Sequence, residues 1–319
     1  MVFDPSKNGL WCVWAAGGIA CLAVAVAASG CGGTAGPSGR GRPRVVATTT
    51  VVADLVKQVG GDRVDVDCLM AAGIDPHSYK PTPRDADRLA GADLVVASGL
   101  HLEGKLAELL ERLARARPVV MVGDSLPPDR LITVGGGQHD PHVWFDARLW
   151  SLGVAPVAEA LARLDPPEAD EYRERGRAYV ARLEALDDRL GERIAAIPAG
   201  RRVLVTAHDA FRYFGRAYGI EVVGVQGTST ESEAGLGDIN RLVDLVVTRG
   251  IPAIFVETSV SDRNVEALRE GARARGHDVA LGGRLHSDSL GGAGSGAETL
   301  EAALESNVAT IVDGLKGAP

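Results

Sequence analysis

Residues 166–197 form one charge-rich stretch with helical apolar spacing, and it divides the chain into two halves that each alternate strands with helices. Proline and acidic residues stand at its start, where a missing amide hydrogen and the helix dipole favour them. Tyr172, Tyr179, Leu183, Leu186, Leu190 and Ile194 fall on one face of a helix. The spacing predicts a single helix of about 30 residues, about 45 Å long at 1.5 Å per residue. Two shorter helices, broken near Gly176 or Gly191, are the alternative. The single helix is the favoured reading, and it would act as a strut between two lobes.

Before the strut, strand-like apolar runs occur at residues 44–49, 64–69, 93–97 and 118–122, with helical patterns at 52–59, 83–90 and 102–113. After it, strands are expected at 202–206, 221–225, 253–257 and 278–281, and helices at 210–218, 236–249, 262–275 and 297–315. Such alternation implies parallel sheets joined by right-handed crossovers. The predicted fold class is therefore α/β. Two lobes, at 44–165 and 198–319, would each hold a four-stranded parallel sheet flanked by helices and be joined by the helix at 166–197. Roughly 275 residues suffice for two lobes of ordinary domain size.

The amino terminus predicts where the chain works. Residues 8–30 carry no charge, and 19–27 are strongly apolar before the run Ala28-Ser29-Gly30-Cys31. This resembles a bacterial lipoprotein signal over residues 1–30, with Cys31 as the acylated first residue of the mature chain. An uncleaved anchor is the alternative, since the stretch is long enough to span a bilayer. Both place the remainder outside the cytoplasmic membrane, in a periplasm or on the outer face of the cell. Several acyl chains on Cys31 would give stable attachment where one would not. Residues 32–43 (GGTAGPSGRGRP) read as a flexible tether spanning roughly 20 Å.

Cys12 and Cys21 belong to the leader, so Cys68 is left without a disulfide partner and reads as a buried strand residue. Lys7 and Asp4 cancel within the leader, so the formal net charge of −8 stays with the mature chain. That balance argues against a nucleic-acid partner and favours attracting cations. Aromatic residues are scarce, at 4%, which leaves few platforms for base stacking. A monomer is expected.

The candidate chemistry lies in His77, His142, His208 and Asp288. Each follows an apolar run or sits in a sharp turn, and the spacings of 65, 66 and 80 residues are too long for a zinc finger or a one-helix metalloprotease motif. Three imidazoles and a carboxylate suit zinc or manganese. In open parallel sheets, ligands bind beyond the carboxyl ends of strands. Two candidates come from each half, so the metal would lie in the cleft between lobes. Asp140, Asp146, Asp209 and Glu257 are candidates to orient the imidazoles, with helix capping or plain surface exposure as the alternative. His139 is a competing ligand or a loop-edge residue, His286 lines the cleft or faces solvent, His101 caps a turn, and His277 reads as a solvated turn residue.

Four stretches carry a specific resemblance. They are Ile74-Asp75-Pro76-His77-Ser78-Tyr79, Asp140-Pro141-His142-Val143-Trp144-Phe145-Asp146, Ala207-His208-Asp209-Ala210-Phe211-Arg212-Tyr213-Phe214 and Leu285-His286-Ser287-Asp288-Ser289-Leu290-Gly291. From about Val45 to Leu315 the chain resembles the solute-binding lipoproteins of zinc and manganese ABC transporters, the metal-binding adhesin-lipoprotein family. The resemblance implies two lobes joined by a rigid helix, a buried metal between them, delivery to a membrane permease, and no enzymatic activity. His77, His142, His208 and Asp288 fall on the family's four ligand positions. Residues 126–138 lack the histidines of the long loop that zinc-dedicated members often carry, and His208 stands where manganese-selective members tend to have glutamate. Ser232-Glu233-Ala234-Gly235 replaces a Glu-Pro-Ser turn common in the family.

Nitrogen-rich sites favour Zn²⁺ over Mn²⁺. The expected function is extracytoplasmic capture of zinc, or else manganese, and its delivery to an ABC permease. A metal-stabilised surface adhesin is the alternative. A zinc hydrolase is a third class, disfavoured because no HExxH pattern occurs and Asp288 would fill the position that catalysis leaves for water.

Overall fold

The structure, a computed structural model, describes residues 41–316. The leader call at 1–30, the lipidation call at Cys31 and nearly all of the tether lie outside the described residues. Among the described residues no helix is long and apolar enough to cross a membrane.

The first lobe runs β1 (Arg44–Ala47), α1 (Thr50–Gly60), β2 (Asp65–Cys68), α2 (Pro83–Ala90), β3 (Leu94–Ala97), α3 (Ala107–Ala114), β4 (Val119–Met121), α4 (Ala147–Ser151) and α5 (Val154–Leu164). Its four strands are parallel in the order β2-β1-β3-β4. The central strand β3, LVVA, is buried at every position, as a parallel strand covered on both faces must be. Cys68 ends β2, half-buried, and burial pushes its thiol up to about 11.

After α6 (Ala169–Ala195), the second lobe runs β5 (Val203–His208), α7 (Arg212–Tyr218), β6 (Glu221–Gln226), α8 (Leu236–Thr248), β7 (Ala253–Glu257), α9 (Arg263–Ala274), β8 (Ala280–Leu285) and α10 (Leu300–Lys316). Its strands form two two-stranded parallel ladders, β5–β6 and β7–β8, with β5 packed close to β7. Strand β8 continues past the expected end at residue 281 through Gly282 and Gly283. Gly282 leaves room for the Phe255 ring, which a Cβ there would approach to 2.4 Å, Gly283 leaves room for Thr310 of α10, and the pairing shifts register at Ile254/Phe255.

The strut is one unbroken helix of 27 residues. Its six predicted apolar residues are all fully buried, and side chains of that size each contribute about 1.5–3 kcal/mol of burial. Gly176, read as a candidate break, instead lets α5 pack closely: a Cβ there would already lie 3.4 Å from Ala158 Cβ and 3.5 Å from Val154 Cγ1.

One carboxylate joins the strut to both lobes. Asp54 of α1 accepts from the Leu300 amide at the start of α10 at 3.0 Å and from Gln58 Nε2 at 3.0 Å, with the Tyr179 hydroxyl of α6 at 3.5 Å. Burial holds the Asp54 carboxyl above its ordinary range, although the Leu300 amide pulls the other way.

Substituting Gly176→Val should cost about 1–3 kcal/mol in a denaturant titration, because its γ-carbons have no room against α5. Gly191→Ala, with only Tyr218 Cδ1 at 3.8 Å, should be neutral or stabilising by up to about 1 kcal/mol.

Candidate metal centre

Each predicted donor is delivered by a short, well-determined piece of backbone. His77 and His142 both end an Asp-Pro-His tripeptide. In each, the aspartate two residues earlier accepts the histidine's own amide, His77 N to Asp75 Oδ1 at 2.9 Å and His142 N to Asp140 Oδ1 at 3.0 Å. This is the turn that Asp forms most readily, with proline fixing the middle residue. His208 is the last residue of β5 rather than the residue after it, and Asp288 lies three residues beyond β8.

The four side chains converge. His142 Nε2 lies 3.2 Å from His77 Nε2 and 3.3 Å from His208 Nε2. Asp288 Oδ1 lies 3.3 Å from His142 Nε2, 3.4 Å from His208 Nε2 and 3.9 Å from His77 Nε2. A tetrahedral zinc site with bonds of 2.0–2.1 Å has donor–donor edges of about 3.3 Å, so the spacing fits that ion. His142 and His208 are fully buried, Asp288 is 1% exposed and His77 4%.

Two carboxylates fix which nitrogens face inward. Asp140 Oδ1 lies 2.7 Å from His142 Nδ1, and Glu257 Oε2 lies 2.6 Å from His208 Nδ1. Glu257 Oε1 also accepts the His208 amide at 2.9 Å. An imidazole that donates Nδ1–H presents a bare lone pair at Nε2. The centre therefore collects lone pairs facing one another, and Asp288 Oδ1 has no hydrogen-bond donor at all. Only a cation or a proton relieves that arrangement.

The titration shifts express the same tension. Burial pushes the His77 imidazole down to about 4, against the pull of Asp288. Burial also disfavours the charged forms of His142 and His208, but Asp140 and Asp288 outweigh it at His142, and Glu257 and Asp288 outweigh it at His208. Both imidazoles are raised, His208 well above its ordinary value. Asp288 is penalised by burial and held well below the ordinary carboxylate range by the surrounding histidines, His208 foremost.

The family described as zinc-uptake complex component A, periplasmic (ZnuA) matches residues 45–314. The chain belongs to this family. It is 44% identical over 275 residues to the zinc-binding protein TroA of Treponema pallidum, covering 86% of this chain and 89% of TroA. It is 42% identical to the manganese-binding lipoprotein MntA of Bacillus subtilis, covering 93% of this chain and 98% of MntA. The solved structure of the periplasmic zinc-binding TroA superposes with a TM-score of 0.84, covering 86% of this chain and 99% of that one.

Two of the four candidate orienting residues are elsewhere. Asp146 caps α4 through the Leu149 amide at 2.8 Å and lies 3.3 Å from Arg216. Asp209 accepts from Arg212 Nε at 2.6 Å. Neither carboxylate bonds an imidazole, because each faces the basic residue three positions on or across α7. The other histidines stand apart from the cluster, and His277, half-buried, bonds the Ile251 carbonyl at 2.8 Å instead of facing water.

Sequence reasoning missed Asp75, although the repeated Asp-Pro-His tripeptide marks it. It also missed Ser259, whose hydroxyl donates to Asp288 Oδ2 at 3.0 Å, and Trp144, whose Nε1 donates to the Ser287 carbonyl at 3.1 Å. Those two contacts join residues distant in sequence and leave no local signal.

Glu257→Gln should weaken metal binding about 10–100-fold, the usual loss on removing a carboxylate behind a histidine ligand. Asp209→Asn should leave affinity unchanged. Isothermal titration of both variants checks the pair.

Proposed function

We propose that the chain captures one divalent transition metal ion, zinc before manganese, between its lobes and passes it to an ABC permease. The reading rests on one observation above all: four inward-facing donor atoms, three nitrogens and one oxygen, in a pocket nearly closed to solvent. His77, His142, His208 and Asp288 are the ligands, while Asp140 and Glu257 hold two of the imidazoles in the required tautomer. The lobes at 44–165 and 198–319 supply two ligands each, and the helix at 166–197 keeps them in register.

Family membership supports extracytoplasmic capture and delivery. A signal over residues 1–30 and lipid on Cys31 would anchor the chain, which acts as a monomer outside the cytoplasmic membrane. Capture rather than catalysis follows from Asp288, which completes the set that a zinc hydrolase leaves open for water. Manganese is the second reading, favoured by the name and similarity of the Bacillus subtilis relative. Three imidazoles weigh toward zinc, since affinity for a nitrogen-rich site rises from manganese to zinc.

Equimolar zinc and manganese offered to the metal-free protein, followed by elemental analysis, should leave one equivalent of zinc. Retained manganese would make the cargo manganese, and no stoichiometric metal would remove the reading.

The pH dependence has a definite sign. The raised folded-state values of His142 and His208 stabilise the metal-free fold below the unfolded imidazole pKa of about 6.5, and that stabilisation fades as pH rises through the folded values. The depressed Asp288 stabilises it above about 3.9 and is lost only as pH falls through its lower folded value. Protons thus compete with metal for His142 and His208. The gain in melting temperature on adding zinc should therefore be larger at pH 8 than at pH 5.5, as paired thermal scans would show.

A further inference from the structure

A metal held by side chains no more than 4% exposed can leave only if one ligand gives way first. The four are not held equally. Carboxylates stand behind His142 and His208, and Ser259 holds the second oxygen of Asp288. Among the described residues, His77 Nδ1 has no such anchor, and residues 71–74 of the turn that carries it are exposed. What fixes His77 is its backbone amide on Asp75.

Asp75 and Asp140 occupy equivalent places in their two turns, yet their remaining bonds differ. Asp140 bonds its own histidine ring. Asp75 Oδ2 accepts from Ser78 Oγ at 2.8 Å and from Thr230 Oγ at 2.6 Å. Thr230 belongs to the other lobe, in the loop between β6 and α8. That loop overlies a cavity of about 390 Å³ lined by Asp209, Gln226, Gly227, Ser229, Ser232 and Ala234, among others. Inside its own lobe it is tied by Gln226 Nε2 to the Ser232 carbonyl at 3.2 Å. The cavity leaves it room to move without disturbing a packed core. The other cross-lobe tie of the His77 turn, Gly73 N to Ser289 Oγ at 2.9 Å, lies at the far end of the turn, where Gly73 has a φ of 80°. With that end pinned, the Asp75–His77 end depends on Thr230.

We propose that the Thr230 hydroxyl, bonded to Asp75 across the cleft, is the latch that keeps the His77 turn closed and sets the rate at which metal leaves. This rests on the metal-capture reading of the site. Breaking the bond frees the loop to sink toward its cavity and lets His77 swing outward, while the three anchored donors stay in place. Thr230 is a positioning residue: it touches neither the metal nor any ligand side chain.

The full chain is loaded with zinc, and transfer of the ion to a fluorescent chelator is followed by stopped flow. Thr230→Val, which keeps the shape and removes the hydroxyl, should speed release about tenfold, equivalent to about 1.4 kcal/mol, as expected for losing a hydrogen bond to a charged group. Thr230→Ser should restore the slow rate. An unchanged rate in the valine variant overturns the latch while the metal reading stands. A serine variant as fast as valine overturns it too, since the hydroxyl would then not matter. A parent protein that takes up no zinc overturns the metal reading and the latch with it.

Discussion

Mutual repulsion among four inward-facing lone-pair donors is the constraint on which the rest of this structure depends. Three imidazole nitrogens and a carboxylate oxygen all lie within 4.8 Å of one another where water scarcely reaches. A chain gains nothing by assembling such a cluster for its own stability, because buried acceptors without donors are costly. The surrounding carboxylates deepen the commitment. By taking the Nδ1 protons, Asp140 and Glu257 prevent His142 and His208 from donating inward unless they become charged. A metal ion, or a proton donated inward, relieves the cluster.

The fold supplies the force that holds these donors together. Two donors come from each lobe, so repulsion at the centre acts to part the lobes. Opposing it are the fully buried stripe of α6, the Asp54 carboxylate that meets both α6 and the first amide of α10, and the Trp144 bond to the loop carrying Asp288. These contacts are buried. The opposite rim is tied more lightly, by side chains of exposed turns.

Much of this was legible from the sequence because it is written in local patterns. The period-3.6 stripe from Tyr172 to Ile194 was enough to place the strut, and the apolar runs placed all eight strands to within a few residues. The four clustered donors were legible because each stands near a strand end or in an Asp-Pro-His turn, where parallel sheets present ligands. What escaped depends on contacts that no local pattern encodes. Gly176 offered an alternative break because its packing partner, Ala158, lies on another helix. Gly282 and Gly283 hid the continuation of β8, since the side chains that fill their space, Phe255 of β7 and Thr310 of α10, come from other elements. Asp146 and Asp209 sit next to ligand segments as plausibly as Asp140 and Glu257 do, and only the three-dimensional direction of each carboxylate separates them.

The central claim is that His77, His142, His208 and Asp288 close around one metal ion. X-ray absorption at the zinc edge, on the full chain loaded with one equivalent, addresses it directly. The account predicts four nitrogen or oxygen neighbours at about 2.0–2.1 Å, with imidazole scattering from three rings and no sulfur. Six oxygen-dominated neighbours, or a sulfur shell at about 2.3 Å, would place the ion elsewhere and contradict it.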